Sequence, residues 1–345
     1  MKTKAALLIQ TGQPLEVHEI ETPELNPGQV LVEVAFSGAC GTQLMEVAGD
    51  KGEDKWVPHC LGHEGTGTVL ETGSAVTKVK VGDQVVMSWI KGEGQEAGGA
   101  KYDWDGKTVN SGGVTTFQKH AVVSENRLTL LPEGMAMDVA VLLGCAAPTG
   151  MGAVFNVLDV SAGDSVAVFG TGGIGLNAIM AAAMAGATPV IGVDLRESRR
   201  ELALAFGATH TVNPEDCDVA EQIKAISTGG VDLAVEATGV PGVMVDAVQI
   251  TKQQGGRAVV IGNAKHDAEV KFSPSIFNSG RSLMGTWGGD SKPDRDYAKY
   301  AKLIAASPYP VRDLLSKPYS LDQINEALDD LRTGKIGRPL IDMSL

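Results

Sequence analysis

Three residues with zinc-ligand chemistry stand in the order Cys40, His63 and Cys145, and a glycine loop, Gly170-Thr-Gly-Gly-Ile-Gly175, follows them. Two thiolates and one imidazole are three protein ligands, which leave a fourth tetrahedral position open for water or substrate. A zinc ion with an open position is a Lewis acid, and a dinucleotide on the glycine loop is a hydride carrier. The combination points to metal-assisted hydride transfer. Each part alone is common. An isolated Cys is usually a small buried apolar residue, and glycine loops arise readily in a chain with 43 glycines.

Local context makes the pattern specific. Cys40 lies in Ser37-Gly-Ala-Cys-Gly-Thr42, His63 in Gly62-His-Glu-Gly65, and Cys145 in Leu143-Gly-Cys-Ala-Ala-Pro-Thr-Gly150. All three strings resemble, in chain order, the catalytic zinc segments of the zinc-containing medium-chain alcohol dehydrogenases. The resemblance runs from about Gly28 to Arg338. It is greatest to the branch that holds the glutathione-dependent formaldehyde dehydrogenases.

The resemblance implies one catalytic zinc on Cys40, His63 and Cys145. Thr42 matches the hydroxyl that takes the alcohol's proton, and Glu64 the carboxylate behind the zinc. Thr149 matches a position beside the nicotinamide, and Arg338 one that binds the pyrophosphate. Trp89 falls where an aromatic wall of the substrate pocket is expected, and Trp287 near the other wall. Three positions depart from the family pattern. Gln43 replaces an Asp that orients the zinc-binding His, Gly41 replaces Arg or His, and Met45 replaces the His that ends the proton relay. Many relatives carry four cysteines around a structural zinc in the segment Gly92 to Gly113. Here that segment has seven glycines and no Cys, so a single zinc is expected, and formaldehyde–glutathione activity does not follow.

The glycine loop sits between a strand and a helix, the context in which it binds a dinucleotide. Gly170 permits the tight turn, Gly172 lets the backbone approach a pyrophosphate, and Gly175 allows close helix–strand packing. Thr171, Gly173 and Ile174 complete the loop at a helix N-terminus, where free N–H groups favour phosphates. Asp194 ends the next strand. A carboxylate there accepts from ribose hydroxyls and repels a 2′-phosphate, so NAD is the expected cofactor. Arg199, with Arg196 and Arg200, places cations close by.

The elements that carry these residues fall into two patterns. As far as about Gly144 the strands are short and turn-punctuated, as in Gln29-Val-Leu-Val-Glu-Val-Ala35, Gly65 to Glu71 and Gln84 to Met87. This reads as a small β domain, GroES-like by the resemblance. From Ser165 to Ile261, buried strands alternate with helices, which means a parallel doubly wound, Rossmann sheet. The expected fold is α/β, with residues 1–148 and 288–345 as the zinc domain and 149–287 as the NAD domain. The Gly92–Gly113 segment reads as an irregular surface lobe. A late helix, Leu321 to Arg332, and a strand, Pro339 to Met343, are expected to return to the first domain.

Bulk properties narrow the partners. The 345 residues suit two domains. The net charge of −13 argues against nucleic acid and anionic membranes. The longest apolar run, Ala178 to Ala185, is too short to span a bilayer. Four cysteines without a disulfide pattern suit a reducing cytosol, and no signal peptide is visible. The expected protein is a cytoplasmic NAD-dependent zinc alcohol dehydrogenase acting on a small alcohol or its carbonyl, as a homodimer or homotetramer. Its rivals are a zinc-free quinone or enoyl reductase and a non-catalytic NAD-binding protein, because fold alone does not imply function.

Overall fold

A computed structural model describes residues 1–345. The chain divides into two compact units, one of Met1–Cys145, Lys292–Ala305 and Arg312–Leu345, the other of Ala146–Ser291 and Ala306–Val311. No single helix is long and apolar enough to cross a membrane.

The first unit is β-rich. Strands Lys2–Leu8, Glu16–Glu21, Lys101–Trp104, Lys107–Asn110 and His59–Cys60 close into a barrel. A second sheet runs Leu128–Leu130, Gln84–Ser88, Glu64–Thr72, Gln29–Gly38, Arg338–Asp342 and Leu315–Tyr319, with His120–Ser124 also paired to Gln29–Gly38. Both faces of the strand Gln29–Gly38 feed apolar clusters, although Glu33 is exposed. Val30, Val32 and Val34 join one apolar cluster, while Leu31 joins another with Tyr102, Val109 and Val122. Each side chain of this size contributes about 1.5–3 kcal/mol when fully buried.

The segment Gly92 to Gly113 corrects the expectation of an irregular lobe. Its second half is a hairpin, Lys101–Trp104 with Lys107–Asn110. Asp105 and Gly106 turn it with φ of 50° and 81°. Positive φ at both central residues is the turn whose twist matches paired strands, and Asp-Gly is its sequence signature. Tyr102 and Val109 point inward and are buried. The first half is pinned by Glu125, whose carboxylate accepts from the N–H of Thr77 at 2.6 Å, Lys78 at 2.7 Å and Gln95 at 2.7 Å.

The second unit holds a six-stranded, all-parallel sheet ordered His210–Val212, Val190–Val193, Val166–Phe169, Leu233–Glu236, Arg257–Val260 and Ser282–Gly285. The strand order reverses between Val166–Phe169 and Leu233–Glu236, and ligands of open α/β sheets bind at the carboxyl ends beside such a reversal. Strands buried on both faces read as unbroken apolar runs, and Val166–Phe169, Val190–Val193 and Leu233–Glu236 are buried throughout. Helix Gly173–Met184 has Ala178, Ala181 and Ala182 fully buried, small side chains that allow close packing.

Candidate active site

Cys40, His63 and Cys145 converge within the first unit. Their ligand atoms all lie within 4.8 Å of one another. Three different local structures aim them. Cys40 is the N-cap of helix Gly41–Ala48, His63 directly precedes strand Glu64–Thr72, and Cys145 follows the 3₁₀ turn Val141–Gly144. His63 Nε2 stands 3.4 Å from Cys40 Sγ. A tetrahedral zinc with Zn–S of about 2.3 Å and Zn–N of about 2.0–2.1 Å sets its ligand atoms roughly 3.5–3.8 Å apart. The cluster fits that ion.

Protonation in the cluster supports the fit. The Cys145 thiol donates to the Cys40 sulfur, and together with His63 it holds Cys40 well below the ordinary thiol range, against burial. The same hydrogen bond, with burial, holds Cys145 well above that range. Of the two sulfurs, Cys40 is therefore the one that gives up its proton more readily. The contrast with Cys60 is plain: burial alone pushes Cys60 up, and it stays an inert thiol.

Glu64 and Arg338 form a buried ion pair next to the ligands. Arg338 Nη2 donates to Glu64 Oε2 at 2.5 Å, and their side chains are 3% and 0% exposed. Burial raises the Glu64 carboxyl above its usual range while the Arg338 charge opposes the rise. Arg338, which burial alone would lower, is held protonated by Glu64. Thr42 lies in the first turn after Cys40, its N–H donating to Cys40 Sγ at 3.4 Å. Trp89 meets His63 edge-on, with ring centroids 6.5 Å apart. A cavity of about 610 Å³ in the same unit is lined by Gln43, His63, His59, Trp56 and Val114 among others.

Ser88 and Tyr297 were not singled out by sequence. Ser88 Oγ donates to Gly144 O at 2.8 Å, and the buried Tyr297 hydroxyl donates to Ser88 Oγ at 2.7 Å. This chain of bonds anchors the turn that presents Cys145. Tyr297 lies on helix Pro293–Ala306, and no local motif connects it to Ser88.

In the second unit the glycine loop leaves strand Val166–Phe169 and enters helix Gly173–Met184. Gly170 has φ of 84°, which an L side chain resists. A Cβ on Gly175 would lie 1.9 Å from Gly170 O, so only Gly fits there. Gly172 has open space, with Arg199 Nη1 the one neighbour, 3.9 Å from a Cβ placed there. Asp194 Oδ2 accepts from Thr171 N at 2.9 Å and Thr171 Oγ1 at 3.1 Å, and Oδ1 accepts from Arg196 N at 3.0 Å. Helix Ala146–Gly152 packs on the loop's helix, since a Cβ at Gly150 would lie 2.3 Å from Ile174 O. Thr149, beside it, is buried with its hydroxyl unpartnered. Trp287 is 72% exposed in this unit.

Residues 26–133 match the alcohol dehydrogenase GroES-like domain, and residues 173–306 match the zinc-binding dehydrogenase domain. The chain is 34% identical to S-(hydroxymethyl)glutathione dehydrogenase of Photobacterium damsela subsp. piscicida, over 99% of this chain and all of that one. Among solved structures it is similar to an alcohol dehydrogenase zinc-binding domain protein from Burkholderia ambifaria, with a TM-score of 0.91, 30% identity and 99% of both chains covered. It is also similar to benzyl alcohol dehydrogenase from Acinetobacter calcoaceticus, with a TM-score of 0.90, 29% identity and 99% of both chains covered. With a GroES-like unit and a Rossmann unit, and with a Cys-His-Cys cluster beside a buried Glu–Arg pair as its candidate metal site, the chain is an oxidoreductase that belongs to the zinc-containing medium-chain alcohol dehydrogenases.

Proposed function

We propose that this protein is an NAD-dependent zinc alcohol dehydrogenase, interconverting a small alcohol and its aldehyde or ketone. The observation that carries the reading is the convergence of Cys40, His63 and Cys145 within 4.8 Å. Bound zinc would supply Lewis acidity at the alcohol oxygen and NAD would supply the hydride acceptor. The residues 1–148 and 288–345 are assigned the zinc chemistry and 149–287 the cofactor.

The protein's own groups have distinct tasks. Cys40, Cys145 and His63 hold the metal. Thr42, two residues past Cys40, accepts the proton released from the alcohol. Trp89, in a T-shaped contact with His63, is assigned to an aromatic wall of the substrate pocket. Gly172 leaves room for the pyrophosphate, and the N-terminus of helix Gly173–Met184 offers it N–H groups, while Gly170 and Thr171 spend theirs on Val193 O and Asp194. Asp194 spends part of its capacity on Thr171 and Arg196. A carboxylate has about four acceptor sites and three are taken by Thr171 and Arg196, so about one remains for a ribose hydroxyl. The unpartnered Thr149 hydroxyl suits a polar edge of the nicotinamide. A cytoplasmic location suits a site that needs reduced thiols, and the assembly proposed is a symmetric homodimer or homotetramer.

The test is turnover of an alcohol and aldehyde panel by zinc-loaded protein with NAD and with NADP, followed by nicotinamide absorbance. Elemental analysis should find one zinc per chain. Cys145→Ala should abolish turnover and lose zinc while still binding NAD. A wild-type chain that binds NAD but oxidises no alcohol would favour a binding protein, and turnover without zinc would favour a zinc-free reductase.

A further inference from the structure

Helix Gly41–Ala48 starts with a reciprocal cap. Cys40 N–H donates to Gln43 Oε1 at 2.9 Å, and Thr42 N–H donates to Cys40 Sγ. The same Gln43 side chain reaches His63: its Nε2 stands 2.6 Å from His63 Nδ1. On the other side of the ring, His63 Nε2 faces Cys40 Sγ at 3.4 Å. Gln43 is 1% exposed, so water does not replace these partners.

The donors can be counted. A side-chain amide has one oxygen that accepts and one NH₂ that only donates. For His63 Nε2 to offer its lone pair to a metal, the neutral ring must carry its proton on Nδ1. Gln43 is then met by two donors, Cys40 N–H at one end of its amide and His63 Nδ1–H at the other, and only one end carries an acceptor. As the amide stands, Oε1 serves Cys40 and Nε2–H points at Nδ1. That arrangement requires Nδ1 to accept, which leaves the ring proton on Nε2, the nitrogen facing Cys40. Turned over, the amide accepts from Nδ1–H but sets Nε2–H against Cys40 N–H and breaks the helix cap. The conflict therefore survives either assignment of the amide's O and N. A carboxylate has one oxygen for each donor and meets no conflict.

We propose that Gln43 is a positioning residue that biases His63 against the tautomer zinc ligation needs, so that this centre holds its zinc more loosely than the same cluster would with a carboxylate at position 43. The inference rests on the reading that Cys40, His63 and Cys145 hold zinc. Its consequence is a metal that exchanges on chelation while the fold stays intact.

The experiment is zinc competition with a chromophoric chelator, on the full chain, for wild type, Gln43→Glu and Gln43→Met. Circular dichroism confirms the fold of each. Changes to groups that orient a metal-binding His typically move affinity about 10–100-fold. Gln43→Glu is isosteric and supplies both acceptors, so it should tighten zinc by at least about tenfold. Gln43→Met removes the opposing N–H without adding charge, so zinc should be held at least as tightly as in wild type, and any loosening should stay within about threefold, well under the loss expected if the amide were a helpful partner. Either a Glu variant that falls short of tenfold or a Met variant that exceeds threefold overturns the proposal. Should the Glu variant not fold, the Met comparison decides alone. Zinc held equally by all three chains overturns this inference only; zinc held by none overturns the metal reading as well.

Discussion

Arg338 donates to Glu64 across 274 positions of sequence, at 2.5 Å, in a site closed to solvent. Removing one member of a buried pair leaves an uncompensated charge and costs about 3–5 kcal/mol, whereas replacing both with apolar residues is often far milder. Arg338→Leu should therefore destabilise strongly, and Arg338→Leu with Glu64→Leu should recover part of the loss. Denaturant unfolding of the zinc-loaded chain measures both. A single variant within about 1 kcal/mol of wild type would show that the pair carries little net stability.

The hydrogen-bond chain Tyr297–Ser88–Gly144 predicts a second effect. Ser88→Ala strands three buried groups, the Gly144 carbonyl, the Tyr297 hydroxyl and the Ile90 N–H. Each unsatisfied buried group costs about 1–3 kcal/mol. Stability should fall by that order, and zinc should be released faster because the Cys145 turn loosens. Tyr297→Phe leaves the Ser88–Gly144 bond in place and should be milder. Equal zinc release from Ser88→Ala and wild type would separate this chain from the metal centre.

Thr42 is expected to pass the alcohol's proton outward. Positioned proton transfer is worth roughly 10²–10⁴ in rate, so Thr42→Val should cost about that much in single-turnover hydride transfer at saturating NAD. Thr42→Ser should cost far less. A Val variant within about threefold of wild type, far above the expected loss, would reassign the proton to another path.

Asp194 links cofactor choice to loop shape. Asp194→Gly should narrow or reverse preference for NAD over NADP by removing the charge that repels a 2′-phosphate. It also removes three hydrogen bonds to Thr171 and Arg196, so affinity for NAD itself should fall. Comparing kcat/KM for the two cofactors tests the first, and NAD titration the second. A wild-type preference for NADP would show that Arg199 and its neighbours outweigh the carboxylate.

Glu125 makes stability sensitive to acid. Burial acts to raise its carboxyl, but the N–H groups of Gln95, Lys78 and Thr77, with the Lys78 charge, hold it below its ordinary value of 4.5. A group lowered by folding adds stability above its unfolded value and loses it as pH falls through the folded one. Unfolding free energy should thus decline below about pH 4.5, and Glu125→Gln should flatten that decline while costing about 1–3 kcal/mol at pH 7. Urea unfolding at pH 7 and in acid distinguishes the two; an unchanged acid slope in the variant would remove Glu125 from the account.

The sequence by itself determined the features that live within a few residues of one another. The cluster residues Cys40, His63 and Cys145, the loop from Gly170 to Gly175, and Asp194 at its strand end are legible as candidates, because motif spacing and apolar periodicity are local properties of the chain. The Asp105-Gly106 turn was legible in principle, since two residues with positive φ leave a sequence signature, but the surrounding glycines obscured it. Only the tertiary structure decided the rest. It set Arg338 against Glu64, ran Tyr297 through Ser88 to the Cys145 turn, and packed the two faces of strand Gln29–Gly38 into two apolar clusters. It also committed Gln43 to Cys40 and His63 at once. These partners are brought together by chain reversals in the sheets, and hydrogen bonding in a buried site depends on which donors and acceptors meet there, a matter of three-dimensional neighbours that no spacing along the chain encodes.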